Sequence, residues 1–508
     1  MNYSRRKEMI LITSFSVVFG IIYLWFVSIG TWTQLSMTST YYYRMLADGF
    51  LAASPALLIE PDPRLAQIEN PYPAENRENI PTLMDAAYFN GKYYLYFGPA
   101  PALILAGFMA IFKRAVSDGY FSFFSAWMIF TFSALLITRV WRNHFQHIPM
   151  WLVGLSLIIT GTMYPVMWAV NSARIYEAAT LTCGAFIVAG LYLAFDSLDG
   201  KSSERFNLII AGILWGLAIG SRLLSVIIVA VLCCAILVRL LWRENKIKFS
   251  KPVIFNILSL LIPIGLTLVI MGWYNYIRFD SPFESGVRYS LIGVKGVSSF
   301  SQEGKIFNLH YFLPNLENYL FNSLEIIQTF PFVKLMQANG SLYNAIMLTD
   351  EGYYREGIAG LIISMPFIVF SGVFIWFSIG HFNNKNRTSH LHSFNSGISR
   401  PIDLISSIGS IGVAGLLGFV VLLNFFAVTT RYLLDFIVLL NIVAITGMWI
   451  LYTELGNSLI PRRILSFLLL LLAIYSTGLS FLLAITGELD RFQINNPGLF
   501  EKLAKFFS

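Results

Sequence analysis

The chain has 508 residues, 56% hydrophobic and 12% charged, with a mean hydropathy of +0.65. Soluble domains carry roughly 25% charged residues, so an ordinary soluble protein is excluded. The net charge of +7 and pI near 9.1 suit short cytoplasmic loops facing anionic lipid better than a nucleic-acid surface.

Apolar runs of about 20 residues recur along the whole chain, which predicts an all-α polytopic membrane protein. Transmembrane β-barrels are excluded, because their spans alternate and are only about ten residues long. The first run, 9–29, follows Arg5-Arg6-Lys7 and reads as an uncleaved anchor with a cytoplasmic N-terminus. Further spans are expected at 120–140, 149–169, 174–195, 207–221, 223–240, 253–273, 357–378, 404–424, 433–452 and 464–485, about eleven in all. The apolar stretch 99–112 is short. If it crossed, the later basic loops would face outward, so it is expected to lie in the outer interface.

This topology makes 1–485 one transmembrane domain with two long extracytoplasmic segments, 30–98 and 274–356, and an outer tail, 486–508. The tail's LFEKLAKFF reads as a surface helix, and the polar linker 380–402 as a mobile inner loop. Cys183, Cys233 and Cys234 all fall in apolar runs, so they read as packing residues.

The first outer segment carries Asp48 in YYYRMLADGF and Asp85 ahead of a strand-like YFNGKYYLYF. Either carboxylate suits a general base for a hydroxyl. Each also has a plainer use, Asp48 in a pair on an interfacial helix and Asp85 in a turn. Ionisable residues also mark the outer ends of several spans: Arg174 and Glu177, Arg222, and Arg431 with Asp435. Charges at membrane depth face a partner or a polar cavity, and guanidinium is a forked phosphate donor. The i, i+4 spacing of Arg431 and Asp435 predicts a mutual ion pair as the plainer alternative. The second outer segment opens with YNYIRFDSPFESGVRY, where Arg278, Asp280, Glu284 and Arg288 interleave with aromatics. That mixture suits a binding loop for sugar or phosphate. Only His310 of the six histidines is expected outside, which disfavours a histidine metal site or a Ser-His-Asp triad. There is no Walker loop and no G-x-G-x-x-G.

With these residues placed, the chain resembles the GT-C superfamily of glycosyltransferases that use polyprenyl-phosphate sugars. The likeness is greatest to the bacterial branch related to protein mannosyltransferases and the lipid A aminoarabinose transferase. It is carried by the basic N-terminus and first span, Tyr41-Tyr42-Tyr43 with Leu46-Ala47-Asp48, and Gly98-Pro99-Ala100-Pro101 before an interfacial helix. GILWGLAIGSR ending at Arg222, YNYIRFDSPFESG and TTRYLLDF add to it.

The resemblance implies inverting transfer of a sugar from a polyprenyl-phosphate carrier to an extracytoplasmic acceptor at the plasma (inner) membrane. Membrane lipids, the lipid-linked donor and the acceptor would be the partners. A first-loop carboxylate would serve as base. Arg174, Glu177, Arg222, Arg278, Arg431, Asp435, Tyr42 and Tyr94 are the candidates for donor phosphate and substrate. No cofactor beyond the donor is called for, and acids in two outer segments leave a divalent metal open. Where the family places its acid before the aromatic pair, this chain has Thr38-Ser39-Thr40. The base therefore falls to Asp48 or Asp85, or the chain is a divergent or inactive member. A transporter or flippase for a lipid-linked glycan, or a non-catalytic envelope-assembly protein, is the alternative.

Overall fold

The structure is a computed structural model that describes residues 3–35, 40–114, 116–198, 204–243, 246–247, 250–291, 305–339, 353–384, 398–456, 458–488 and 490–507. Most of the expected linker 380–402 lies outside the described residues, as do Thr38 and Ser39. The protein is a helical membrane bundle. Among the described residues, eight helical stretches are long and apolar enough to cross a bilayer. In hydrocarbon every backbone N–H and C=O must be satisfied internally, and a helix does this within one segment.

In chain order the first ten helices are α1 (Tyr3–Val27), α2 (Tyr42–Leu51), α3 (Ala100–Phe112), α4 (Asp118–His144), α5 (Met150–Gly161), α6 (Tyr164–Ser172), α7 (Ile175–Ser197), α8 (Glu204–Ser221), α9 (Ser225–Leu241) and α10 (Lys251–Phe279). The later long helices are Phe370–Asn384, Pro401–Leu423, Ile437–Glu454 and Leu459–Thr486. Each expected span is matched by helix, but three of the eleven fall outside the eight. They are α8, α9 and the apolar stretch Pro366–Phe382.

Burial shows where the centre lies. The apolar windows of α7 and Ile437–Glu454 are 89% and 83% buried, whereas that of α10 is 17% buried and offers most of its surface to lipid.

Two boundaries differ from the sequence expectation. The span expected at 149–169 is broken at Thr162-Met163 into α5 and α6, with Pro165 in the first turn of α6. Proline lacks the N–H that would continue the ladder. The span expected from 357 starts later, because Gly357-Ile358 is a strand and the long helix begins only after Pro366.

The segment 30–98 folds over one end of the bundle. Ala87–Phe89 (β1) and Lys92–Tyr94 (β2) pair antiparallel around Asn90-Gly91. Both turn residues have positive φ, 48° and 73°, the requirement of a tight hairpin turn that Asn-Gly meets. Gly98 then lies directly against the backbone of Gly220 and Ser221 at the end of α8, so a side chain has no room there. Gly98→Ala is expected to lower stability by about 1–3 kcal/mol, as overpacking does, read as a lower thermal midpoint in detergent.

Helix α2 has no capping side chain of its own at Tyr41. Asp118, at the start of α4, supplies one from outside. Its carboxylate accepts from Thr40 Oγ1 at 2.5 Å and from the Tyr43 backbone N–H at 3.3 Å. Asp118→Ala should cost about 1–2 kcal/mol, the upper range for a lost N-cap, and should speed amide exchange in α2.

In the segment 274–356, Tyr354-Arg355 runs parallel to Ala427-Val428. This pairing carries Glu356 to the start of the Thr430–Leu433 turn of helix. At the chain's end Pro497–Phe507 is helical, with Phe506 81% exposed and Phe507 stacked on Phe330. Cys183 and Cys233 are buried, Cys234 is exposed, and all three are unbridged.

Candidate functional site

At one end of the bundle, side chains from five distant parts of the chain converge on Asp85. Asp85 sits just before β1 with φ 57°, a left-handed conformation that Asp tolerates better than most residues. Its side chain is partly buried and interacts with the Tyr176 hydroxyl. Burial pushes its carboxyl above the ordinary aspartate range. Tyr176 and the charges of Arg431 and Arg174 oppose that rise, and Glu356 adds to it. The Tyr42 hydroxyl donates to the neighbouring Met84 carbonyl. Tyr42 is itself pushed up to about 12, by burial first and then by the charges of Asp85 and Asp118. Tyr96 also feels Asp85, and burial raises it well above the usual phenol range.

Two arginines border Asp85. Arg431 donates from Nη1 to Glu356 Oε2 at 2.5 Å, and Thr429 Oγ1 donates to the same oxygen at 2.6 Å. The Tyr354 hydroxyl donates to Glu356 Oε1 at 2.8 Å. Burial alone would raise the Glu356 carboxyl, but Arg431, Thr429 and Tyr354 together hold it below the usual range. The Arg431 guanidinium lies 4.5 Å over the Tyr176 ring, and its Nε makes no hydrogen bond among the described residues. Arg174 grips Glu177 through Nη2 at 2.8 Å and Nε at 3.2 Å, and also pairs with Glu488. Burial raises the Glu488 carboxyl against the pull of Arg174.

One step further, Arg222 Nε meets Asp435 Oδ1 at 2.7 Å, and the guanidinium lies 5.1 Å over the Tyr432 ring. The expected Arg431–Asp435 pair is thus replaced by two pairs, Arg431–Glu356 and Arg222–Asp435. The reason is local: helix stops at Leu433 and resumes at Ile437, so the i, i+4 spacing does not put the two side chains on one helical face.

The other candidates lie elsewhere. Asp48 sits on α2, 43% exposed, with Arg44 Nε at 3.9 Å. Tyr94 is buried against Phe279, ring centroids 5.3 Å apart. Arg278 is buried and donates to the carbonyls of Leu95 at 2.7 Å and Tyr274 at 3.2 Å and to Asn275 Oδ1 at 2.7 Å. Its hydrogen bonds fasten the chain just after the hairpin to α10. Glu284 accepts from the Gly286 N–H at 2.8 Å, a turn contact.

Glu356, Glu488, Tyr96 and Tyr176 complete the cluster and were not singled out from the sequence. Glu488 carried the same signal as Arg174, a charge placed directly beyond a span. Among the described residues no group of three or more His, Cys, Asp or Glu is arranged to hold a metal ion.

The sequence matches no protein-family model and no curated protein. Among solved structures, the chain is similar to the apo oligosaccharyltransferase of Archaeoglobus fulgidus, at 13% identity and TM-score 0.45. That similarity covers 93% of this chain and 55% of the archaeal one. The same organism's oligosaccharyltransferase AglB, solved with an inhibitory peptide and a dolichol-phosphate, is similar at 10% identity and TM-score 0.46, covering 95% and 56%. The Saccharomyces cerevisiae protein O-mannosyltransferase Pmt1-Pmt2 complex, solved with its sugar donor, gives 14% identity and TM-score 0.30, covering 64% and 39%. The chain spans little more than half the length of the archaeal enzyme.

Proposed function

We propose that this protein is a membrane-embedded glycosyltransferase that takes a sugar from a polyprenyl-phosphate carrier and passes it, with inversion, to an acceptor hydroxyl outside the cytoplasm. Asp85 is the base. The carrying observation is the position of its carboxyl, partly exposed, bordered by Arg431 and Arg174 and raised above the usual aspartate range. A base with a raised pKa is a stronger proton acceptor at neutral pH than an ordinary carboxylate.

In the reaction the Asp85 carboxylate removes the proton of the acceptor O–H as that oxygen bonds to the anomeric carbon. The bond from the anomeric carbon to the phosphate oxygen breaks, and its electron pair leaves with the lipid phosphate. Arg431, whose Nε has no hydrogen-bond partner among the described residues, and Arg174 stabilise the charge that develops there. The resemblance in the sequence supplies the donor class.

The test is transfer of radiolabelled sugar by the purified protein in lipid, from a panel of polyprenyl-phosphate sugars, with and without chelator. Turnover from one donor supports the reading, and loss with chelator would add a metal to it. No turnover from any donor, with lipid-linked glycan moving across the bilayer, would replace it with a flippase.

A further inference from the structure

The end of YNYIRFDSPFESGVRY, Arg288 and Tyr289, lines a second cavity that the transfer chemistry leaves unused. It measures about 610 Å3, inside the range of roughly 300–1,000 Å3 usual for small-molecule sites. Glu69, Asn70, Tyr72 and Asn76 face Arg288 and Tyr289 across it. The rings are fixed in place. Tyr289 lies 4.6 Å from Phe89, 5.6 Å from Phe279 and 5.7 Å from Tyr72, between ring centroids. The Tyr72 hydroxyl donates to the Tyr88 carbonyl at 3.2 Å. Both tyrosines stay partly exposed.

Polar groups ring them. Asn70 Oδ1 accepts from the Tyr72 N–H at 3.3 Å, and Asn76 Nδ2 donates to the Asn70 carbonyl at 2.9 Å. These bonds use one amide atom of each asparagine. The other atom of each, Asn70 Nδ2 and Asn76 Oδ1, adds a donor and an acceptor to the rim. Glu69 and Arg288, both exposed, add a second acceptor and more donors. Their opposite charges leave the rim without the excess of positive charge that a phosphate would call for. A pyranose matches this arrangement. Its C–H face packs on an aromatic ring, and its hydroxyls both donate and accept. Rings of an interfacial aromatic belt sit at the headgroup level, whereas Tyr72 and Tyr289 share their cavity with two amides, a carboxylate and a guanidinium. A cavity with its rings already locked also binds at little ordering cost.

The cavity lies beside the candidate base. The Leu291 N–H donates to the Ala86 carbonyl at 2.8 Å, and Ser290 bridges Ala87. The chain that carries Arg288 and Tyr289 is thereby bonded to the residues directly after Asp85.

We propose that this cavity is an oligosaccharide-binding site, and that it holds the sugars of a glycan acceptor beside Asp85. The acceptor role rests on the transfer reading; the binding of glycan does not.

The full chain, in lipid nanodiscs free of glycoside detergent, is titrated with maltotetraose, cellotetraose, chitotetraose and mannotetraose. Bound sugar is read by saturation-transfer NMR, with inorganic phosphate as competitor. Saturable binding of a tetrasaccharide that phosphate does not displace is the expected result, with transfer strongest to the protons of one pyranose face. Glu69→Ala with Arg288→Ala, both exposed at the rim, should weaken it about ten-fold, the scale of losing hydrogen bonds to the ligand. Binding of none of the four sugars, displacement by phosphate, or binding unchanged in the rim variant overturns the proposal. The acceptor role is read separately, with a donor that turns over. There the rim variant should raise the KM for the glycan and leave kcat nearly unchanged. An unchanged KM overturns the acceptor role alone. Glycan binding with no turnover from any donor keeps the cavity's ligand and counts against the transfer reading.

Discussion

Asp85→Asn is expected to lower the transfer rate by a factor of about 10^2–10^4, the contribution of a positioned general base, while Asp48→Asn leaves it within two-fold. The contrast rests on environment. Asp48 is solvated and salt-bridged along its own helix, whereas Asp85 is surrounded by Tyr176, Arg431, Arg174 and Glu356. Asn keeps the volume of Asp and tolerates the same left-handed backbone, so the fold should survive the change.

The pH dependence follows from the sign of the shift. Asp85 works as the anion, and its pKa is raised. Turnover should therefore fall as pH drops through a value above the usual carboxylate pKa of about 3.9. Stability runs the other way. A carboxyl whose folded pKa exceeds its unfolded one binds protons more readily in the folded state. Its penalty grows as pH rises from the unfolded value through the folded one. Asp85→Asn should remove that penalty and leave the protein at least as stable near neutral pH. A thermal midpoint that drops sharply with the substitution would instead mark Asp85 as a structural residue.

The second large effect is on Arg431. Arg431→Gln should cost about 3–5 kcal/mol, the loss seen when one partner of a buried ion pair is removed, because among the described residues Glu356 is left buried with Thr429 and Tyr354 as side-chain donors. In the wild type Glu356 is held below its ordinary pKa. Its contribution is therefore full above that ordinary value and is lost as pH falls through the lowered one. In Arg431→Gln the order reverses, and mild acid should stabilise the variant. The double change Arg431→Gln with Glu356→Gln removes both charges. It should recover most of the thermal midpoint but not the transfer rate. Recovery of both would assign Arg431 to the fold alone, and the four-way comparison isolates the pair term.

The helical membrane fold was legible in the sequence because lipid imposes one rule on every span, length and apolarity, and α1, α4, α7 and α10 obey it openly. The break between α5 and α6 was less visible, since Pro165 can open a helix as well as kink one. The run YFNGKYYLYF read only as strand-like, and it folds as a hairpin turning at Asn90-Gly91. Arg174, Glu177 and Arg431 were marked by charge at span ends and Asp85 by its place in the segment 30–98, and the fold brings those four together. Which charge pairs with which was not legible. Arg431 meets Glu356 only because two-residue strands 73 positions apart run side by side, and nothing in so short a pairing stands out from its composition. Arg278 carried the same outward signal as Arg431, yet its donors close onto backbone carbonyls.

The order in which these charges leave the ribosome bears on how the protein is made. Arg174 and Glu177 are three residues apart and neutralise each other as soon as α7 forms. Arg174's second partner, Glu488, follows more than three hundred residues later, after the last span. A nascent chain must keep Glu356 hydrated until Arg431 is in place beside it, since an unpaired charge is costly at membrane depth. Chains halted before Leu459–Thr486 should therefore present this end of the bundle open and hydrated to a chaperone or protease, and insertion of that helix, which brings Glu488 to Arg174, is the step that seals it.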